Sequence, residues 1–86
     1  MNYHEALGRY TELSEQIAAE RTRRHALLHN LAGIAGRSSR DRNPVDYSAL
    51  RALLDGAEAA DTKVGELLVE LHVAAEACNK PVPAKS

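Results

Sequence analysis

The chain has 86 residues and a mass of 9.4 kDa, room for one small domain. Hydrophobic residues make up 44% of it and the net charge is −1, which argues against wholesale disorder and against a polyanionic partner for the chain as a whole. A single cysteine excludes an intramolecular disulfide framework and fits a reducing compartment.

The first ten residues carry Glu5 and Arg9 and no apolar run of signal-peptide length. No window approaches the ~18 uninterrupted apolar residues of a membrane span. The expected location is the cytoplasm. Arg and Ala are abundant beside only three Lys, which suits a GC-rich bacterial or phage genome.

Asn2 and Glu5 have the spacing of a capping box, with Asn in place of Ser or Thr. Apolar residues then recur at helical spacing through Tyr3, Leu7, Tyr10, Leu13 and Ile17, and again through Leu27, Leu28, Leu31, Ile34 and Ala35. Helix 1 is predicted over about 2–35, ended by Gly36 in a left-handed conformation. The polar stretch 36–43 reads as a loop. Asn43 as cap and Pro44 at the first helical position predict helix 2 over about 44–78. Pro81 and Pro83 stop it, leaving 80–86 as a flexible tail. There is no alternating strand pattern. The prediction is an all-α, antiparallel two-helix hairpin forming a single domain over 1–79.

Helix 2 carries a heptad series: Tyr47, Leu50, Leu54, Ala57, Asp61, Val64, Leu68, Leu71, Ala75 and Cys78. Helix 1 offers Tyr3, Leu7, Tyr10, Ser14, Ile17, Arg21, Arg24, Leu28, Leu31 and Ala35. Folded back near residue 41, Leu31 meets Leu50, Leu28 meets Leu54 and Ile17 meets Val64. Asp61 then falls opposite Arg21, with Arg24 one layer away, so Arg21 and Asp61 are the predicted register pair.

Two helices of ~32 residues, each ~48 Å long, bury one stripe apiece. Helix 2 has a second apolar row, Leu53, Ala60, Leu67 and Ala74, widened by Ala49. Read as outward-facing, this row demands a partner. Ala49, Leu53, Ala60, Leu67 and Ala74 are therefore the predicted interface, and a homodimeric four-helix bundle the simplest way to cover it.

Chemistry-bearing clusters are sparse. Arg21, Arg23 and Arg24 are candidate ligands for a small anion such as a nucleotide. Arg37, Arg40 and Arg42 in the loop are candidates for phosphate groups of a nucleic acid, without an aromatic stacking platform and beside an acidic helix 2. His25 and His29 have a chelating i, i+4 spacing with no third ligand nearby. Cys78 has no CxxC partner or adjacent base, and Ser14 no triad. The Gly33–Gly36 stretch lacks the Lys-Ser/Thr ending of a phosphate loop. No catalytic residue, cofactor or metal site is predicted.

The functional expectation is a non-catalytic helical protein that self-associates and binds or blocks a macromolecular partner, as a phage- or plasmid-type accessory or inhibitor protein would. An oligomeric anion binder using Arg21, Arg23 and Arg24 comes second. Nucleic-acid binding through the Arg37–Arg42 loop comes third.

Overall fold

The computed structural model describes residues 2–40 and 44–81. Two helices, α1 (Tyr3–Ser38) and α2 (Tyr47–Cys78), pack against each other as a hairpin 61 × 16 × 16 Å. Arg9 bonds Glu70 and Arg24 bonds Asp61, so sequence rises along one helix as it falls along the other. The described residues contain no strand, and neither helix is long and apolar enough to cross a membrane.

The ends of the helices follow from their caps. Asn2 accepts the Glu5 backbone N–H at 2.8 Å and its amide donates to the Glu5 carboxylate at 3.3 Å. This is the reciprocal cap expected from the sequence, with the asparagine amide replacing the backbone N–H of the usual box. The C-terminus of α1 departs from expectation. Gly36 stays helical, no glycine takes a positive φ, and α1 runs on to Ser38. Ser39 closes it by donating its N–H to the Ala35 carbonyl and its hydroxyl to that of Gly36. These bonds satisfy terminal acceptors without a left-handed residue.

Helix α2 begins at Tyr47 rather than at Pro44. Asp46 is its cap, its carboxylate accepting the Ala49 N–H at 3.0 Å. A carboxylate also suits the positive end of the helix dipole. Asn43, the expected cap, lies outside the described residues, as do Arg42 and residues 82–86 of the expected tail. At its other end α2 stops where expected. Asn79 adopts φ 56, ψ 36, and the Asn79 and Lys80 N–H groups both donate to the Ala75 carbonyl.

The two helices meet on a seam rotated by one position in each heptad from the one expected. Tyr10, Ile17, Leu31, Leu50, Ala57, Val64, Leu71 and Cys78 keep their inward places. Between them, Ala60, Leu67 and Ala74 are buried on α2 where Asp61, Leu68 and Ala75 were expected, with Ala75 buried beside them. Ala6 and Leu13 are buried on α1 where Leu7 and Ser14 were expected. The reason is charge. The expected seam would desolvate Asp61 and Ser14, whereas the observed one replaces them with Ala60 and Leu13. No charged or polar residue is buried among the described residues.

The row Ala60, Leu67 and Ala74 therefore faces α1 and is not an outward strip. Leu67 is 2% exposed. Leu53 is half-buried at the same seam, and Ala49 is half-buried on the flank bearing Arg9 and Glu70.

The dry core lies in the half of the hairpin nearer the termini. Leu13, Ile17, Val64, Leu67, Leu71 and Ala74 form one cluster, covered by Tyr10 and Leu68. The Tyr10 hydroxyl donates to the Pro81 carbonyl at 3.3 Å, which ties the chain beyond α2 across the cluster. Toward the turn, Leu27, Leu31, Ile34, Leu50 and Leu53 are only half-buried. The helices still approach closely there, since a Cβ on Gly56 would lie 3.1 Å from Leu27 Cδ1.

This register predicts unequal costs for two positions on α2. Leu67→Ala should remove about 2–5 kcal/mol of stability by opening a cavity in the cluster. Val73→Ala, on the solvent side, should change stability by no more than about 0.5 kcal/mol. Urea unfolding of the two variants measures both, and equal losses would contradict the rotated seam.

Candidate interaction face and the charged clusters

Rotation of the seam decides what the hairpin shows to solvent. In an antiparallel pair, positions flanking the seam on one side of α1 share a broad face with the corresponding positions of α2. One face receives Leu7, Ser14, Arg21, Leu28 and Ala35 from α1. From α2 it receives Tyr47, Leu54, Asp61, Leu68 and Ala75. The opposite face receives Arg9, Gln16, Arg23, Asn30 and Arg37, with Lys63 and Glu70 among those from α2. The Arg9–Glu70 pair, 3.0 Å long, closes across that polar face.

The apolar face is uncovered toward the turn. Leu28 is 43% exposed, Leu54 52% and Tyr47 62%. Nearer the termini the same face is better filled, with Leu7 and Leu68 half-buried and Ala75 buried. This is the surplus apolar surface that the sequence announced, carried by different residues from those expected.

Midway along this face lies the charged layer. Asp61 is held by Arg24 Nη1, one layer closer to the turn than the Arg21 expected opposite it. Arg24 sits in the seam row, half-buried, and its aliphatic stem lets the guanidinium reach the carboxylate at the edge. Arg21 is half-buried on the same face. Arg23, two residues on, points to the polar face and is exposed. The structure thus divides Arg21, Arg23 and Arg24 between two faces and does not gather them into one anion site.

The basic tip is divided as well. The Arg37 guanidinium folds back over Gly33, where a Cβ would lie 3.6 Å from its Nη1. With His29, Asn30, Gly33, Ile34 and Leu53 it lines a cleft of about 270 Å³ on the polar face. Arg40 is exposed at the tip, its N–H bonded to the Arg37 carbonyl. A second hollow, lined by Asp55, Glu58, Ala59, Thr62, Lys63 and Glu66, is a depression among side chains of α2 alone. It has no wall from a second element.

The His25 and His29 rings stack with centroids 6.2 Å apart. Among the described residues, no group of three or more His, Cys, Asp or Glu side chains is placed to hold a metal ion. His4 packs edge-on against Tyr3. The Ser14 hydroxyl donates to the Tyr10 carbonyl at 2.8 Å, a bond within its own helix. Cys78 is buried with a free thiol. Val69 and Val73 are exposed on the outside of α2.

The Arg24–Asp61 pair is open to solvent on its acidic side, with side-chain exposures of 27% and 62%. A double-mutant cycle with Arg24→Ala and Asp61→Ala should give a favourable coupling below about 1 kcal/mol that shrinks with added salt. Thermal or urea unfolding at two ionic strengths measures it, and a salt-independent coupling would contradict this placement.

No protein-family model, no curated protein and no solved structure matches this chain.

Proposed function

We propose that the hairpin is a non-catalytic interaction module. It self-associates through its apolar face into a four-helix bundle and uses the surface left free to bind or block another macromolecule. The observation that carries this reading is the exposed apolar group Leu28, Tyr47 and Leu54 beside a half-buried seam. Among the described residues, no segment lies over them. Contiguous apolar surface rimmed by charge marks a protein contact on a soluble chain. A bundle of two hairpins would bring the half-buried Leu27, Leu31, Leu50 and Leu53 layers closer to the density of the Leu13–Leu71 end.

The mass in solution tests it. Light scattering on the intact chain should give twice 9.4 kDa at micromolar concentration. Leu28→Glu combined with Leu54→Glu should return a helical monomer, because four buried carboxylates would oppose the dimer. A wild-type chain of 9.4 kDa under these conditions would overturn self-association.

The cleft on the polar face favours a second reading, a site for a small anion. Arg37, His29 and Asn30 supply donors over an apolar floor of Ile34 and Leu53. It replaces the grouping of Arg21, Arg23 and Arg24, which the two faces separate. A thermal-shift screen with nucleotides and phosphate esters measures it. A ligand present at ~100 times its dissociation constant adds ~2.7 kcal/mol, and the shift should vanish in Arg37→Ala. No shift from any of them at millimolar concentration would reject this site.

A further inference from the structure

We propose that the occupant of the apolar face is a second copy with its loop end beside the first copy's loop end. The two copies are related by a two-fold axis parallel to the helices, so α1 of each lies on α2 of the other. The inference rests on the reading of that face as a self-association surface and specifies how the surface is used.

The distribution of exposed apolar groups selects this orientation. Leu28, Tyr47 and Leu54 are exposed on the half of the face near the turn, with His25 and Arg51 at its outer edges, whereas the terminal half carries Thr11, Ser14 and His72 beside half-buried Leu7 and Leu68. With loop ends together, each exposed leucine meets apolar side chains of the other copy. With loop ends apart, Leu28 lands on the Thr11–Ser14 turn and stays against polar groups.

Charge selects it independently. Helix α1 has five arginines against four glutamates, and α2 has six acids against Arg51 and Lys63. On the apolar face the cations Arg21 and Arg24 lie along α1, and the acids Glu58 and Asp61 lie along α2 at matching height. Loop ends together, Arg21 of each copy stands over the Glu58–Asp61 turn of the other. Loop ends apart, the two acidic helices face each other and repel. The first arrangement also makes every neighbouring helix antiparallel, which places opposite dipole ends side by side.

The face is large enough. At 61 Å by 16 Å it has a footprint on the order of 1,000 Å², above the ~800 Å² per partner of a standard stable interface.

Pulsed dipolar spectroscopy reads the orientation directly. In a Cys78→Ala, Ser39→Cys chain carrying one nitroxide at the tip, loop ends together should give an inter-label distance under about 30 Å, since packed helices lie about 8–10 Å apart. A distance near the 61 Å length of the hairpin would overturn the arrangement while leaving self-association intact. No dipolar signal together with a monomer mass would overturn self-association itself. A mixing experiment on chains that keep Cys78 gives a second readout. Arg21→Glu and Glu58→Arg should each raise the dimer dissociation constant about tenfold, and an equimolar mixture should recover wild-type affinity. A mixture no tighter than either variant would overturn the arrangement.

Discussion

Everything in this hairpin depends on hiding one continuous row of side chains per helix without taking a charge out of water. Isolating a carboxylate in an apolar seam costs several kcal/mol that a hairpin of this size has no surplus to offset. Helix α2 offers two adjacent rows flanking the shared Ala57, Val64 and Leu71. One contains Asp61 and the other contains Ala60 at the corresponding place. The hairpin turns Ala60 inward and leaves Asp61 at the edge, where Arg24 reaches it. Leu13 displaces Ser14 from the opposing helix in the same rotation. Position by position, the change is small, yet it exchanges the residues that build the core with those that face solvent.

That exchange has a second consequence. The apolar surplus does not disappear when Leu67 and Ala74 turn inward. It moves to Leu28, Leu54 and Tyr47, on a broad face near the turn, while the terminal half is sealed by Tyr10 and the Pro81 carbonyl. The hairpin is thus finished at one end and unfinished at the other. The single chain buries least apolar surface near the turn, and local openings there should be the least costly in the molecule. The polar face follows a different logic, with Arg9–Glu70 across it and the Arg37 cleft toward the turn, so the cleft and the exposed apolar group lie on separate surfaces.

The all-helical hairpin, its two helices and the Asn2 cap were legible in the chain. So was the end of α2 near Cys78, because helical spacing and capping chemistry act within a few residues. The other ends were less so. Gly36 had the composition of a helix end, but local hydrogen bonds at Ser39 carried α1 two residues past it. Pro44 had the composition of a helix start, but the Asp46 carboxylate offered a better cap three residues before Ala49. For the candidate site, surplus apolar surface on α2 was readable and its location was not. Both flanking rows satisfy a heptad, and only the opposing helix decides between them.

What the sequence by itself determined is the class of object: helical periodicity sustained over two long segments, a break between them, and more apolar residues than one seam can cover. These are properties of each segment alone. The tertiary structure decided which row became the seam, that Arg24 rather than Arg21 holds Asp61, and which leucines were left outside. Those outcomes depend on packing two helices face to face, where the cost of burying one carboxylate is set by what lies across from it.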